Sequence, residues 1–153
     1  MKTFVIYASR YGNTEKIAGA IATGLRRFGP VALFEVGKAP DVIPKDVELI
    51  VIGGPTEAHR LTPAVTSFLD KLVELGLDGK RAAAFDTRVR WPRALSGSAA
   101  GDITKKLRQA GAEIAAEPMS FFVGGKPTRL EPGELERAEG WAASLFTPVA
   151  AQP

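Results

Sequence analysis

Six consecutive residues near the start of the chain have side chains and backbone groups that suit a bound anion. They are Ser9-Arg10-Tyr11-Gly12-Asn13-Thr14, a run with hydroxyls, a cation and a single glycine. Residues 3–8 ahead of them are almost wholly apolar, which is typical of a parallel strand buried on both faces. Behind them, apolar residues recur at helical spacing over residues 14–28, and Gly29-Pro30 ends that helix. A turn from a strand into a helix N-terminus directs N–H groups at one point, so the sequence predicts a phosphate site.

The composition describes a single globular domain without cysteine chemistry. A chain of 153 residues suits one hydrophobic core and is too short for two ordinary domains. We expect residues 1–148 to form that domain and residues 149–153 to be a frayed tail. The absence of cysteine excludes disulfides, thiolate metal sites and cysteine catalysis.

No apolar run approaches the roughly 18 residues that a membrane span requires. The first residues pass directly into a predicted strand, which leaves no room for a signal peptide. We therefore expect a cytoplasmic protein.

The net charge of +3 is mild and does not favour nucleic acid as a partner. The basic residues are scattered, with one local concentration at Lys80, Arg81, Arg88, Arg90 and Arg93. Neither a basic stripe interleaved with aromatic residues nor a nucleic-acid-binding module is found in the sequence. A solvated charged surface is the simpler interpretation.

Strand and helix patterns alternate along the rest of the chain. The further predicted strands are residues 31–36, 47–52, 80–85 and 119–123, and the further predicted helices are residues 63–76, 102–110 and 134–146. Thr62 is the predicted N-cap of the first of these helices, with Pro63 at its first position. The third strand is expected to end at Gly53-Gly54-Pro55, and the fourth is expected to pass into a long loop from Asp86 to about Ser98.

Five β-α units of this kind predict a doubly wound α/β domain. The sheet is then five-stranded and parallel, with helices on both faces. In such sheets ligands bind beyond the carboxyl ends of the strands, where the strand order reverses. Three predicted loops meet at that edge: residues 9–14, 55–60 and 86–98.

The lack of diagnostic sequence motifs excludes four functions that are familiar for this architecture. The turn after Gly12 lacks the lysine of a P-loop, and it also lacks the G-x-G-x-x-G dinucleotide fingerprint. The first and third strands do not end in the acidic residues that a magnesium-dependent receiver domain needs, and a cysteine phosphatase has no cysteine here. What remains is a phosphate held by backbone amides and hydroxyls, without a metal.

The turn Ser9-Arg10-Tyr11-Gly12-Asn13-Thr14 resembles the flavodoxin phosphate loop, usually written [TS]-x-T-G-x-T. The segment Leu49-Ile50-Val51-Ile52-Gly53-Gly54-Pro55-Thr56 resembles the flavodoxin segment that leads into the first flavin-ring loop. A weaker resemblance includes Ala84-Phe85-Asp86-Thr87 and the closing helix. The resemblance implies the strand order 2-1-3-4-5 and FMN as cofactor.

The same resemblance implies a set of cofactor-binding residues, with no metal and no catalytic side chain. Those for the phosphate are Ser9, Arg10, Tyr11, Gly12, Asn13 and Thr14. Those for the flavin ring are Pro55, Thr56, Glu57, Ala58, His59, Asp86, Thr87, Arg88 and Trp91. As an alternative, Ser9 and Thr14 are simply turn and N-cap residues.

Two departures from the flavodoxin pattern affect the ring loops. The second loop has no Trp or Tyr, so His59 or Arg60 would lie against the ring unless both face solvent. Trp91 in the third loop either stacks on the ring or fills the core beneath the loop, whereas Trp141 is expected to pack in the core.

The second departure is the charge of the two ring loops, where flavodoxins are acidic. The arginines expected there are Arg60, Arg88, Arg90 and Arg93. Positive charge near the flavin favours its anionic, fully reduced form, so we expect a higher reduction potential than that of an acidic flavodoxin. Alternatively, these side chains point into solvent and act weakly through screening.

Three functions remain open from the sequence. The first is an FMN protein that carries electrons to a redox partner protein or reduces a small acceptor. The second is a flavodoxin-fold oxidoreductase acting on a quinone or porphyrin-like substrate. The third is a binding module of the same fold that no longer binds flavin.

Overall fold

A computed structural model describes residues 2–40, 42–56, 61–90 and 98–146 of the chain. The strands in these ranges are β1 Lys2–Tyr7, β2 Val31–Glu35, β3 Val47–Pro55, β4 Arg81–Val89, β5 Glu113–Ile114, β6 Met119–Gly124 and β7 Arg129–Leu130. The α-helices are α1 Asn13–Leu25, α2 Pro63–Leu75, α3 Ala99–Gln109 and α4 Glu134–Ser144. Single 3₁₀ turns follow α1 at Arg26–Phe28 and β2 at Val36–Lys38.

The sheet has the order β2-β1-β3-β4-β6, and these five strands are parallel. This confirms the predicted doubly wound fold and its strand order. The short β5 pairs with the start of β4, and β6 pairs with its second half. The two therefore share the predicted fifth strand position, and Pro118, which has no N–H for a ladder, lies between them. The two-residue β7 is an antiparallel addition on β6.

Two strands run further than the sequence predicts. Strand β3 continues through Gly53 and Gly54 to Pro55, and β4 continues to Val89. The prediction that a loop begins at Asp86 is therefore wrong. Pairing between the two strands carries the ladder onward, with Gly53 opposite Phe85 and Pro55 opposite Thr87. Such long-range pairing overrides the weak local strand preference of glycine and aspartate.

Helix ends differ from the predicted bounds by a few residues. Helix α1 ends at Leu25 rather than at residue 28, because the chain tightens into a 3₁₀ turn before Gly29. Helix α3 begins at Ala99, three residues before the predicted start at residue 102, because Ser98 caps it. The last helix ends at Ser144, two residues before the predicted end.

The helices divide the apolar core between the two faces of the sheet. Helices α1 and α4 cover one face, and α2 and α3 cover the other. On the first face, Phe85, Phe121 and Trp141 form an edge-to-face cluster with ring centroids 6.1–6.5 Å apart. The expected packing role of Trp141 is confirmed by this cluster.

An ion pair on α4 closes the open edge of β6. The Glu134 carboxylate accepts the Phe122 backbone N–H at 2.7 Å, and the Arg137 guanidinium donates to the Ser120 carbonyl at 2.5 Å. The two side chains also bond to each other at 2.6 Å. The Arg137 guanidinium holds the pKa of Glu134 below its ordinary value, against the effect of burial and with help from the Phe122 amide. The pair thus satisfies strand groups that would otherwise be exposed at a sheet edge.

Two absences hold for the residues given above. No helix in those ranges is long and apolar enough to cross a membrane. The same ranges contain no group of three side chains arranged to ligate a metal ion. The tail predicted for residues 149–153 lies outside them, and the cytoplasmic location stays a prediction.

Candidate functional site

The turn between β1 and α1 collects backbone N–H groups around one hydroxyl. Ser9 Oγ accepts the Gly12 amide at 3.1 Å and the Glu15 amide at 3.4 Å. Gly12 caps the helix with a φ of 87°, a left-handed conformation that favours glycine. This conformation lets the chain reverse into the helix immediately after the strand. The turn therefore has the geometry that the sequence predicts.

The same turn keeps hydrogen-bond donors for an anion. Within the described parts of the chain, the amides of Asn13 and Thr14 have no hydrogen-bond acceptor. These are among the first N–H groups of a helix, which have no partner inside the helix and lie at its positive end. A phosphate would complete their hydrogen bonding, so the residues present fit the FMN phosphate.

Contacts from two other elements hold the start of α1. Thr14 Oγ1 lies 2.8 Å from Thr87 Oγ1 on β4, and both residues are buried. Asn13 Nδ2 donates to the carbonyl of Thr128 at 3.2 Å. The sequence predicts Thr14 and Thr87 at the site but does not predict their contact. Thr128 was missed, because a backbone acceptor 115 residues away leaves no sequence signal.

Asp86 lies on β4 directly before Thr87 and is fully buried. Its Oδ2 accepts the hydroxyls of Thr56 and Ser98 and the amide of Ala100, at 3.0–3.3 Å. Asp86 and Thr87 were both predicted to bind the flavin ring, but their side chains bond to other parts of the protein. Ser98 was missed as a site residue, although a serine directly before a helix is a typical N-cap.

The two described arginines of the predicted basic loops lie near the β6 edge. Arg88 is buried on β4, and its Nε donates to Ser120 Oγ at 2.9 Å. Arg90 pairs with Glu131 at 2.9 Å, and its guanidinium lies 4.0 Å from the Phe122 ring centroid. Arg88 therefore does not match the alternative that the arginines point into solvent. The Arg90 side chain is 63% exposed, as that alternative expects, and Glu131 offsets its charge.

Some of the remaining predicted residues lie on or near the surface beside the turn, and the others lie outside the described ranges. Pro55, Ser9 and Arg10 line a cleft of about 320 Å³ that also contacts Glu35 and Thr62. Tyr11 is 70% exposed, with the Arg10 guanidinium 5.4 Å from its ring centroid. Several predicted residues lie outside the described ranges and stay predictions: Glu57, Ala58, His59, Arg60, Trp91 and Arg93.

Comparisons with known proteins identify the family and the fold. Residues 4–90 match the flavodoxin domain family. The NAD(P)H dehydrogenase (quinone) of Gluconacetobacter diazotrophicus is 27% identical over an alignment that covers 90% of this chain and 86% of that protein. The flavodoxin of Clostridium saccharobutylicum is 31% identical over 91 residues, covering 57% of this chain and 56% of that protein. Oxidised flavodoxin 1 from Bacillus cereus is 25% identical, with a TM-score of 0.81 and coverage of 95% and 97%.

Proposed function

The chain belongs to the flavodoxin domain family, and on that basis we propose that it binds FMN and transfers electrons through the flavin. FMN is the cofactor of this family. When bound, it supplies the one- and two-electron chemistry, while the protein supplies binding, orientation and the electrostatic environment. The observation that carries the proposal is the turn at Ser9, where helix amides without a partner among the described residues lie beside a hydroxyl.

The proposed phosphate site uses backbone groups more than side chains. The Asn13 and Thr14 amides donate to the phosphate, and Ser9 and Thr14 add hydroxyl donors. The exposed guanidinium of Arg10 adds positive charge at the rim of the turn. Tyr11 and Gly12 complete the turn, so all six predicted phosphate residues keep a proposed role.

The proposed ring site lies between the segments that follow β3 and β4. Pro55 and Thr56 begin the first of these segments. Because the side chains of Asp86 and Thr87 are buried in protein contacts, we assign them to holding the segments in place. Direct contact of the ring with Glu57, Ala58, His59 and Trp91 remains a proposal.

Titration of cofactor-free protein with FMN tests this assignment. We expect Thr14→Val to raise the FMN Kd about 10-fold to 100-fold, because a hydrogen bond to a charged group contributes about 1.5–3 kcal/mol. Thr23→Val is the matched control, since Thr23 lies on the same helix and its hydroxyl bonds to the Gly19 carbonyl. Thr87→Val separates loss of the threonine pair from loss of the phosphate contact.

Each outcome of the titration has a defined meaning. Saturable binding that weakens in Thr14→Val but not in Thr23→Val supports the phosphate site. Equal weakening in Thr14→Val and Thr87→Val would mean that the pair, rather than the phosphate contact, controls affinity. Absence of saturable binding by the wild type would reject the proposal and favour a binding module that does not use flavin.

A second candidate is reduction of quinones by NAD(P)H. The observation that favours it is the relative of that name, which matches this chain over 90% of its length. The reaction moves two electrons and balances as NAD(P)H, quinone and a proton giving NAD(P)⁺ and hydroquinone. Steady-state oxidation of NAD(P)H that requires both quinone and added FMN, and that falls in Thr14→Val, would support an enzyme. If FMN binds without such turnover, an electron carrier with a separate redox partner is favoured.

A further inference from the structure

One oxygen atom of Asp86 joins the two segments that would flank the flavin ring. Thr56, directly after β3, donates its hydroxyl to Asp86 Oδ2 at 3.3 Å. Ser98, directly before α3, donates its hydroxyl to the same atom at 3.1 Å. The residues between Thr56 and α2 and those between β4 and Ser98 include the predicted ring contacts Glu57, Ala58, His59 and Trp91. A single buried acceptor therefore fixes one end of each segment.

The same network supplies acceptors for the N–H groups at the start of α3 that have no partner inside the helix. The Ala100 amide donates to Asp86 Oδ2 at 3.0 Å. The Ala99 amide donates to Thr56 Oγ1 at 3.0 Å, and the Gly101 amide donates to Ser98 Oγ at 3.2 Å. Both hydroxyls are oriented for these bonds by their own donation to Asp86. Three of the four orphan donors of a helix start are thus satisfied directly or indirectly by one carboxyl group.

The position of Asp86 ties this network to the phosphate site. Thr87, the next residue on β4, bonds to Thr14 Oγ1 on the opposite face of the sheet. The Thr87 carbonyl also accepts the Thr56 amide at 3.0 Å. Because successive side chains of a strand point to opposite faces, these two residues connect all three loops at the carboxyl edge. A shift of β4 at this point would move each of them.

We infer that Asp86 is a positioning residue, which holds Thr56 and Ser98, the described ends of the second and third loops, at a fixed separation and so determines FMN affinity without touching the cofactor. This inference rests on the proposed function. Asp86 Oδ1 is buried and has no hydrogen-bond partner among the described residues, so the whole network depends on Oδ2. An asparagine preserves it by placing its amide oxygen at the Oδ2 position and its amide nitrogen at the Oδ1 position, where no existing hydrogen bond is lost.

The first measurement is amide hydrogen exchange in cofactor-free protein. In Asp86→Ala we expect exchange of the Ala99, Ala100 and Gly101 amides to accelerate about tenfold or more, because their acceptors are lost or released. Asp86→Asn should keep near-wild-type protection. Asp70→Ala is the matched control, because Asp70 pairs with Lys106 on the same helix but outside this network.

The second measurement is FMN affinity, together with the midpoint potential of the bound cofactor. We expect Asp86→Ala to raise the Kd about tenfold or more and to shift the potential, and Asp86→Asn to restore both. Ile103→Val destabilises the same helix from its fully buried face and should change neither. A double-mutant cycle of Thr56→Val and Ser98→Ala should be non-additive in Kd, and its coupling should vanish in an Asp86→Ala background.

The outcomes separate this inference from the proposed function. Wild-type protein that binds no FMN would reject the proposed function, and with it the cofactor role of Asp86. If the wild type binds FMN and Asp86→Ala binds equally well, the inference alone is overturned, even where exchange accelerates. If Asp86→Ala fails to fold, the Thr56 and Ser98 cycle decides, because additive effects there would refute a shared acceptor.

Discussion

Replacing Gly12 by alanine should destabilise the protein, whereas the same change at Gly19 should stabilise it. A Cβ added at either position would meet no other atom within 4 Å. The two sites differ in backbone conformation, because Gly12 has a φ of 87° whereas Gly19 lies inside α1. The pair therefore isolates the cost of the left-handed turn that begins the phosphate site.

The expected magnitudes follow from these two conformations. A left-handed backbone costs an L-residue about 1–2 kcal/mol, and replacing glycine returns about 0.4–1 kcal/mol by restricting the unfolded chain. Gly12→Ala should therefore lower the free energy of unfolding by about 0.8 kcal/mol at the middle of these ranges, and by about 1.6 kcal/mol at most. Gly19→Ala should raise it by about 0.5–1 kcal/mol, because glycine is unfavourable inside a helix.

Urea unfolding of the cofactor-free proteins measures both changes, provided that the m-values agree. The unfolding midpoints should move in opposite directions from the wild type. In FMN titrations, Gly12→Ala should also raise the Kd, because the Gly12 amide belongs to the turn, whereas Gly19→Ala should leave it unchanged. Stabilisation by Gly12→Ala, or equal losses at the two sites, would refute the assigned turn conformation.

Two further predictions concern the sheet. Gly53→Ala should destabilise the fold by about 1–3 kcal/mol through overpacking, because its Cβ would lie 2.2 Å from Phe85 Cζ. Urea unfolding measures this loss, and adding Phe85→Leu should recover part of it. A Gly53→Ala protein as stable as the wild type would contradict the close approach. The pKa of Glu134 is lowered by Arg137, so its stabilising contribution is present above the unfolded pKa of about 4.3 and is lost as pH falls through the lower folded pKa. The stability gap between wild type and Glu134→Gln should therefore shrink in acid, and a gap that stays constant or widens would refute this assignment.

The fold was largely predictable because its main signals are local. Apolar runs such as residues 47–52 indicate buried parallel strands, and spaced apolar residues with glycine or proline at the ends indicate the helices. The turn at Ser9 was predictable for the same reason, since one short segment holds the strand end, the glycine and the helix start. The strand order came from the resemblance to flavodoxins rather than from these patterns.

Only the tertiary structure revealed how Thr56 and Ser98, the described ends of the second and third loops, are held. Gly53 and Asp86 have low strand propensity, so the sequence predicts that the strands end there. Both nevertheless lie within strands, because the pairing of β3 with β4 continues beyond them. Likewise, the Thr14–Thr87 contact joins residues 73 positions apart, and such pairs have no periodicity to reveal them. The sequence alone therefore predicted the turn proposed to bind an anion, because that turn is built from adjacent residues. The tertiary structure decided which side chains are buried to support the site, because burial depends on partners that are distant in the chain.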